Sequence, residues 1–233
     1  MTTPLKVLVA CEFSGIVREA FARLGHDATS CDLRDTEIPG KHIKGDALAA
    51  LGSTSWDLVI AHPPCTFLAN SGVRWLYEHG TTNRVESRWQ DLREGAAFFR
   101  SFFDRYTGPL CVENPIMHAH AAALIGELPG VTKSFVQPYH FGHLETKRTG
   151  LYLRQLPALK PTDDVEAAMR KLPKSQTNLV HLASPGPDRW VMRSRTFPGI
   201  AEAMAMQWGG RVTRSTVSLS VPQKPKQLAL DLL

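Results

Sequence analysis

The segment "WDLVIAHPPCTFLANSG" closes an apolar run with His62, Pro63, Pro64 and Cys65. A structural cysteine needs only an apolar pocket. A nucleophilic one needs rigid placement at an accessible strand end, and two prolines directly before it favour that reading. A free thiol is mostly protonated at neutral pH, so such a cysteine also needs a neighbouring positive charge or a helix N-terminus. Three further clusters follow apolar runs in the same way: Glu12 to Gly15 after "KVLVAC", Asp32 after "HDATSC", and Glu113 to Pro115 after "PLCV". A glutamate at a strand end is an ordinary loop residue when alone and a candidate general acid when it shares a rim with a reactive thiol.

The elements that must hold these groups alternate along the chain. "LKVLVAC" reads as a strand, and in "GIVREAFARLG" Ile16, Ala20, Phe21 and Leu24 share a helical face. "HDATSCDL", "WDLVIAH" and "GPLCVENP" read as further strands, with "GDALAALG" and the long "VESRWQDLREGAAFFRSFFDRY" as helices. This alternation predicts an α/β fold, an open and mostly parallel sheet with helices on both faces. Ligands bind such sheets beyond the carboxyl ends of the strands, which puts all four clusters on one rim. After "TGLYLR" the pattern weakens. Residues 155–190 read as a short insertion, "TFPGIAEAMAMQWGG" as a compact helix, and residues 211–233 as a flexible basic tail.

Composition bounds the remaining possibilities. In 233 residues, 43% apolar and 21% charged is ordinary for a globular chain with one sizeable core. No apolar run approaches the roughly 20 residues that cross a bilayer, and the N-terminus reads as a first strand, not a secretory signal. Cys11, Cys31, Cys65 and Cys111 form no C-x-x-C pair and fit free thiols in a reducing cytoplasm. His118, His120, His140 and His143 match no strong ligand spacing, so no metal is expected. The formal charge of +5 is modest but uneven: four basic and no acidic residues lie between Arg211 and Lys226. That bias permits phosphate contacts and equally describes a solvated face.

Five segments, in order, resemble the DNA cytosine-5 methyltransferases: "ACEFSGIVREAF", "DLVIAHPPCTFLANSG", "LCVENP", "FGHLETKRTGLYL" and "RTFPGIAEAMA". They cover most of residues 5–207. The resemblance implies a Rossmann-like S-adenosyl-L-methionine-dependent methyltransferase sheet, in a compact phage-type member without a full target-recognition domain. It implies Cys65 as the thiolate that adds to carbon 6 of cytosine, making carbon 5 nucleophilic toward a methyl group. Glu113 would hold the nitrogen-3 edge and select cytosine, with Lys147 and Arg148 binding substrate and biasing the thiol. Pro64, Asn114, Arg74 and Trp75 are the further substrate contacts expected. Arg74-Trp75 lies in a segment with two Arg-Trp pairs, which can stack on bases or form a lid with buried tryptophans.

For S-adenosyl-L-methionine, the resemblance implies contacts from Phe13, Ser14, Gly15, Ile16 and Pro63. Asp32 with Leu33 stands where an acid commonly binds ribose hydroxyls. Asp46 with Ala47 would reach the adenine amine, although Gly-Asp before a helix is equally a capping signal. Val17 and Arg18 replace family glycines, Thr66 replaces the glutamine after the cysteine, and Pro115 replaces valine.

Only about 40 residues stand in place of the usual recognition domain, so little or very short sequence specificity is expected. "QLALDL" carries Gln227, Leu228, Leu230 and Leu232 in the pattern of bacterial sliding-clamp peptides. The expected setting is DNA in a bacterial or phage-infected cytoplasm. Other readings stay open: a free cytosine nucleotide or RNA as substrate, a modified sulfonium donor, or a non-catalytic DNA-binding or anti-restriction protein. An amine methyltransferase is disfavoured because its Pro-Pro loop ends in an aromatic residue.

Overall fold

The computed structural model describes residues 3–182 and 189–210. Among the described residues seven strands form one sheet: β1 (Lys6–Ala10), β2 (Asp27–Asp32), β3 (His42–Lys44), β4 (Leu58–Ala61), β5 (Leu110–Pro115), β6 (Val131–Val136) and β7 (Thr149–Arg154). Their order is β3-β2-β1-β4-β5-β7-β6. Helices α1 (Ile16–Arg23), α2 (Ala47–Gly52), α3 (Glu86–Arg105) and α4 (Ala119–Ile125) lie in the crossovers. After β7 come the short α5 (Glu166–Met169), α6 (Lys174–Thr177), α7 (Leu179–Leu182) and α8 (Arg189–Ser194), then α9 (Pro198–Gly209).

The two central strands, β1 and β4, are almost wholly apolar because both of their faces are covered. Along β1 the side chains alternate. Val7 and Val9 join a core with Phe21 of α1 and Met204 and Trp208 of α9, while Leu8 and Ala10 join Leu92, Phe99 and Phe102 of α3 on the other face. In α3 the buried Trp89, Leu92, Ala96, Phe99 and Phe103 recur at helical spacing and give that helix one face on the sheet. The Rossmann-like α/β architecture expected from the sequence is the one found.

Three elements were not foreseen. β3 is only three residues long and exists through its pairing with β2. β6 is an edge strand whose Thr132, Lys133 and Phe135 are exposed, and α4 is short. The insertion is not a separate body at its start. Leu156 and Leu159 are buried in the α1–α9 core, and Trp208 donates its indole N–H to the Pro157 carbonyl at 3.0 Å. The expected clamp peptide lies outside the described residues.

This topology fixes where chemistry can occur. β1, β2, β4 and β5 run parallel, so their carboxyl ends share one rim. β7 runs antiparallel to β5 and starts where β5 ends, with Thr149 opposite Pro115, which carries Lys147 to the same rim. Strand order reverses between β1 and β4, the position at which sheets of this kind bind ligands.

Candidate active site

The loop after β4 is held on both sides. The His62 N–H donates to the Ala10 carbonyl at 2.9 Å, extending the strand pairing to Pro63, which is buried; Pro64 is exposed. The Cys65 carbonyl accepts from the N–H groups of Leu68 at 3.0 Å and Ala69 at 2.9 Å, closing a helical turn. A Cβ on Gly72 would run into the Thr66 carbonyl, so that position admits only glycine. Thr66 itself is exposed.

The turn is laced to the segment that follows β5. Asn70 N–H donates to Ile116 at 2.8 Å and His118 N–H to Leu68 at 3.0 Å. His118 Nδ1 accepts from the Ala121 N–H at the start of α4, so its other nitrogen carries the proton and donates to the Phe67 carbonyl at 2.8 Å. Burial holds this imidazole below its ordinary pKa, which suits the neutral form those two bonds need. His118 thus ties the Cys65 turn to the strand that carries Glu113.

Cys65, Glu113 and Lys147 converge. Burial pushes the Cys65 thiol up to about 11, and the Glu113 charge adds to the rise. Lys147, the cysteine's own backbone N–H and Arg193 pull it back. Lys147 Nζ donates to the Arg193 carbonyl at 2.7 Å, and its backbone N–H donates to the Gln137 side chain at 3.1 Å. A narrow cleft is lined by His62, Glu113, Lys147, Thr149, Ser194 and Thr196. Arg148 points elsewhere: it is exposed, with its guanidinium 4.1 Å over the Phe135 ring. Asn114 alternates to the face of β5 opposite Glu113, is fully buried, and donates from Nδ2 to the Pro115 carbonyl at 2.7 Å.

The rim beside β1 carries negative charge. The Glu12 carboxylate accepts from the N–H groups of Val17 at 2.7 Å and Arg18 at 3.2 Å and from the Ser14 hydroxyl at 3.2 Å. It therefore occupies the N-terminus of α1, where a dinucleotide fold would hold a diphosphate. Gly15 sits at φ 74°, and a Cβ there would lie 2.7 Å from the Arg18 guanidinium. Ile16 packs against the core. Arg18, 1% exposed, donates to Ser30 and Thr36 and to the carbonyls of Ile38 and Pro39, pinning the β2–β3 connection over α1. Arg18 is thus a structural clamp.

Asp32 stands at the end of β2, accepts from the Arg34 N–H at 3.0 Å, and its charge helps raise the Cys11 thiol, which burial raises most. Leu33 beside it is 76% exposed. Asp46 accepts from the Ala49 N–H at 2.7 Å and so caps α2, the capping reading of Gly-Asp; Ala47 is buried. Phe13 is buried and meets the Trp190 ring edge-on at 5.9 Å, with the Arg34 guanidinium 5.0 Å from Phe13 and 4.6 Å from Trp190. Arg195 forms a two-pronged contact with Glu37 at 2.9 and 2.6 Å. Together with the Lys147–Arg193 bond, these contacts make α8 a strap across the rim. No single residue of α8 stands out in the sequence, because its residues act through position in the fold.

The two Arg-Trp pairs divide. A 3-10 turn at Val73–Leu76 presents Trp75, 56% exposed, with Arg74 4.6 Å over its ring. Trp89 is a core residue that donates to the Leu76 carbonyl at 3.1 Å and is covered by Arg84. Of the four histidines, His118 and His143 accept backbone N–H groups and His120 packs on Trp89. His140 lies with Asp164 and Glu166 within 4.8 Å, but Arg170 is already paired with Glu166.

The carboxylates on this rim suit an uncharged ribose and a positively charged sulfonium better than a phosphate, since Glu12 fills the α1 terminus and Asp32 stands at the strand end.

No family model matches the chain, and no curated protein matches it. Among solved structures the chain is similar to an E. coli prophage-encoded protein described as a DNA modification methyltransferase. That similarity has a TM-score of 0.41 and 14% identity over 64% of this chain and 46% of that one. It is also similar to the Entamoeba histolytica methyltransferase EhMeth, with a TM-score of 0.46 and 14% identity over 70% of this chain and 58% of that one. The chain spans about half the length of the solved structures it matches.

Proposed function

We propose that the protein is an S-adenosyl-L-methionine-dependent methyltransferase that modifies carbon 5 of cytosine in DNA. The convergence of Cys65, Glu113 and Lys147 on one rim carries this reading. Cys65 adds to carbon 6 of the ring while Glu113 hydrogen-bonds or protonates nitrogen 3, which keeps negative charge from building in the ring. Lys147 opposes the two influences that keep the thiol protonated. When bound, the cofactor supplies an electrophilic methyl group; Phe13, Ser14, Gly15, Asp32 and Leu33 would hold it, with Glu12 disfavouring anionic competitors. In a duplex, the target base leaves the stack to reach the thiol. Trp75 and Arg74 would meet bases and phosphates near Cys65, a role that the exposed Trp75 ring supports.

The short insertion supports modification with little sequence context, and "QLALDL" supports docking on a sliding clamp. Loss of clamp binding on deleting residues 227–233 is the result expected for that peptide; equal binding without them would remove it. For the reaction, the test is mass spectrometry of nucleosides from DNA incubated with the protein and labelled donor. A labelled methyl on cytosine, absent with Cys65→Ala, is the expected result. Label on dCMP or RNA but not on DNA would move the activity to those substrates.

A further inference from the structure

His62 is a buried titratable group to which the reaction above gives no task. Its Nδ1 lies 3.8 Å from Glu113 Oε2, and the two side chains are 7% and 17% exposed. Its Nε2 is buried and meets no hydrogen-bond partner among the described residues. An apolar residue would serve at this strand end if only packing were needed. An imidazole with one nitrogen toward a carboxylate and the other unsatisfied is costly to bury unless its proton is used.

We infer that His62 and Glu113 share one proton, with His62 a positioning residue that loads the Glu113 carboxyl group. Its place in catalysis rests on the function proposed above. A glutamate at neutral pH is ordinarily ionised and cannot donate to nitrogen 3. In the step assigned here Cys65, its thiol proton already lost to solvent, forms a bond from sulfur to carbon 6; the carbon 5–carbon 6 π pair shifts toward carbon 4 and the carbon 4–nitrogen 3 pair moves onto nitrogen 3. The shared proton, held at first on His62 Nδ1, passes to Glu113 Oε2 and from that carboxyl group to nitrogen 3, leaving Glu113 ionised. His62 is then neutral and protonated on Nε2. When the thiol is later expelled, nitrogen 3 returns the proton by the same route, so no further acid is consumed. The charged groups around the pair are Glu113 on β5, 3.8 Å from His62 Nδ1, and Lys147 ahead of β7, which lines the same cleft. Cys65 stands within the influence of both, and Arg193 of α8 acts on Cys65. The other polar groups of the cleft, Thr149, Ser194 and Thr196, are neutral.

The test is an NMR titration of the imidazoles in the full chain, with His62 assigned by the signal lost in His62→Gln. In Glu113→Gln the His62 signals are expected to titrate at lower pH than in the wild type, as for a cation that loses an adjacent carboxylate. Unchanged titration of His62 overturns the inference whatever the activity. The second arm is the pH profile of single-turnover methyl transfer. The wild type loses rate on the alkaline side as His62 deprotonates. His62→Gln, which can hydrogen-bond Glu113 but carries no exchangeable charge, is expected to lose that limb and to fall roughly 10- to 100-fold in rate without a matching change in substrate affinity. A uniform loss with the limb retained would mean that His62 only fills space, and would overturn the relay. A shifted His62 in a protein that methylates no cytosine substrate would leave the shared proton standing and remove the proposed function.

Discussion

At the scale of single residues, the Cys65 thiol is the test of the electrostatics. With its pKa pushed up to about 11 by burial and by Glu113, only about one thiol in a thousand is ionised at pH 8. Its alkylation by iodoacetamide should therefore rise close to tenfold per pH unit through the range 8 to 10. Glu113→Gln removes a charge that opposes the thiolate, so alkylation at pH 8 should rise several-fold. Lys147→Met removes a charge that favours it, and alkylation should fall. The reverse order of the two variants would contradict the arrangement. The sequence made Cys65 and Glu113 legible because each follows an apolar run and carries a reactive group. It left Lys147 and Arg148 undivided, since neighbouring basic residues differ only in where the backbone points them. Lys147 lines the cleft and Arg148 lies on Phe135.

At the scale of elements, the Cys65 turn and the strap are the parts whose loss should be felt selectively. His118→Ala removes both a helix cap on α4 and the bond to Phe67 in the turn. It should destabilise the protein by about 1–3 kcal/mol, read from urea midpoints. A variant as stable as the wild type would show that the lacing carries no load. Arg195→Ala breaks the contact with Glu37 that holds the chain beyond α8. Because that pair is partly exposed, little stability should be lost. Binding of S-adenosyl-L-methionine, read by calorimetry, should weaken several-fold, and unchanged binding would exclude the strap from the cofactor site. Neither feature was legible beforehand. The strap's bonds reach from α8 to the β1, β2 and β7 ends, and sequence patterns report only neighbours within a few residues. The strong strands and α3 were legible for the converse reason, as their apolar spacing is local.

At the scale of the whole molecule, three imidazoles bind the architecture together in their neutral form. His26 accepts from Leu5 N–H, His118 from Ala121 N–H and His143 from Gly199 N–H. Burial lowers the pKa of each below 6.5. Each binds its proton less readily folded than unfolded, so acid favours the unfolded chain. The stability they contribute is fully present above the unfolded value near 6.5 and is lost as pH falls through the lower folded values. Urea midpoints should drop between pH 7.5 and 5.5, and His143→Gln, which keeps an acceptor, should flatten the slope. A midpoint that rises on acidification would contradict this. The α/β class was readable from the alternation of strand and helix, whereas the antiparallel β7 that delivers Lys147 to the rim was not, because strand direction depends on connections and not on strand composition.

The central claim is that Cys65 forms a covalent bond to a cytosine ring. DNA carrying 5-fluorocytosine tests it most directly, because fluorine at carbon 5 cannot leave as the hydrogen does and the adduct persists after methyl transfer. Incubation with S-adenosyl-L-methionine should yield a denaturant-stable protein–DNA species whose peptide map places the link at Cys65, lost in Cys65→Ala. A protein that transfers methyl groups to such DNA while remaining free of it, or that links through another residue, would contradict the account.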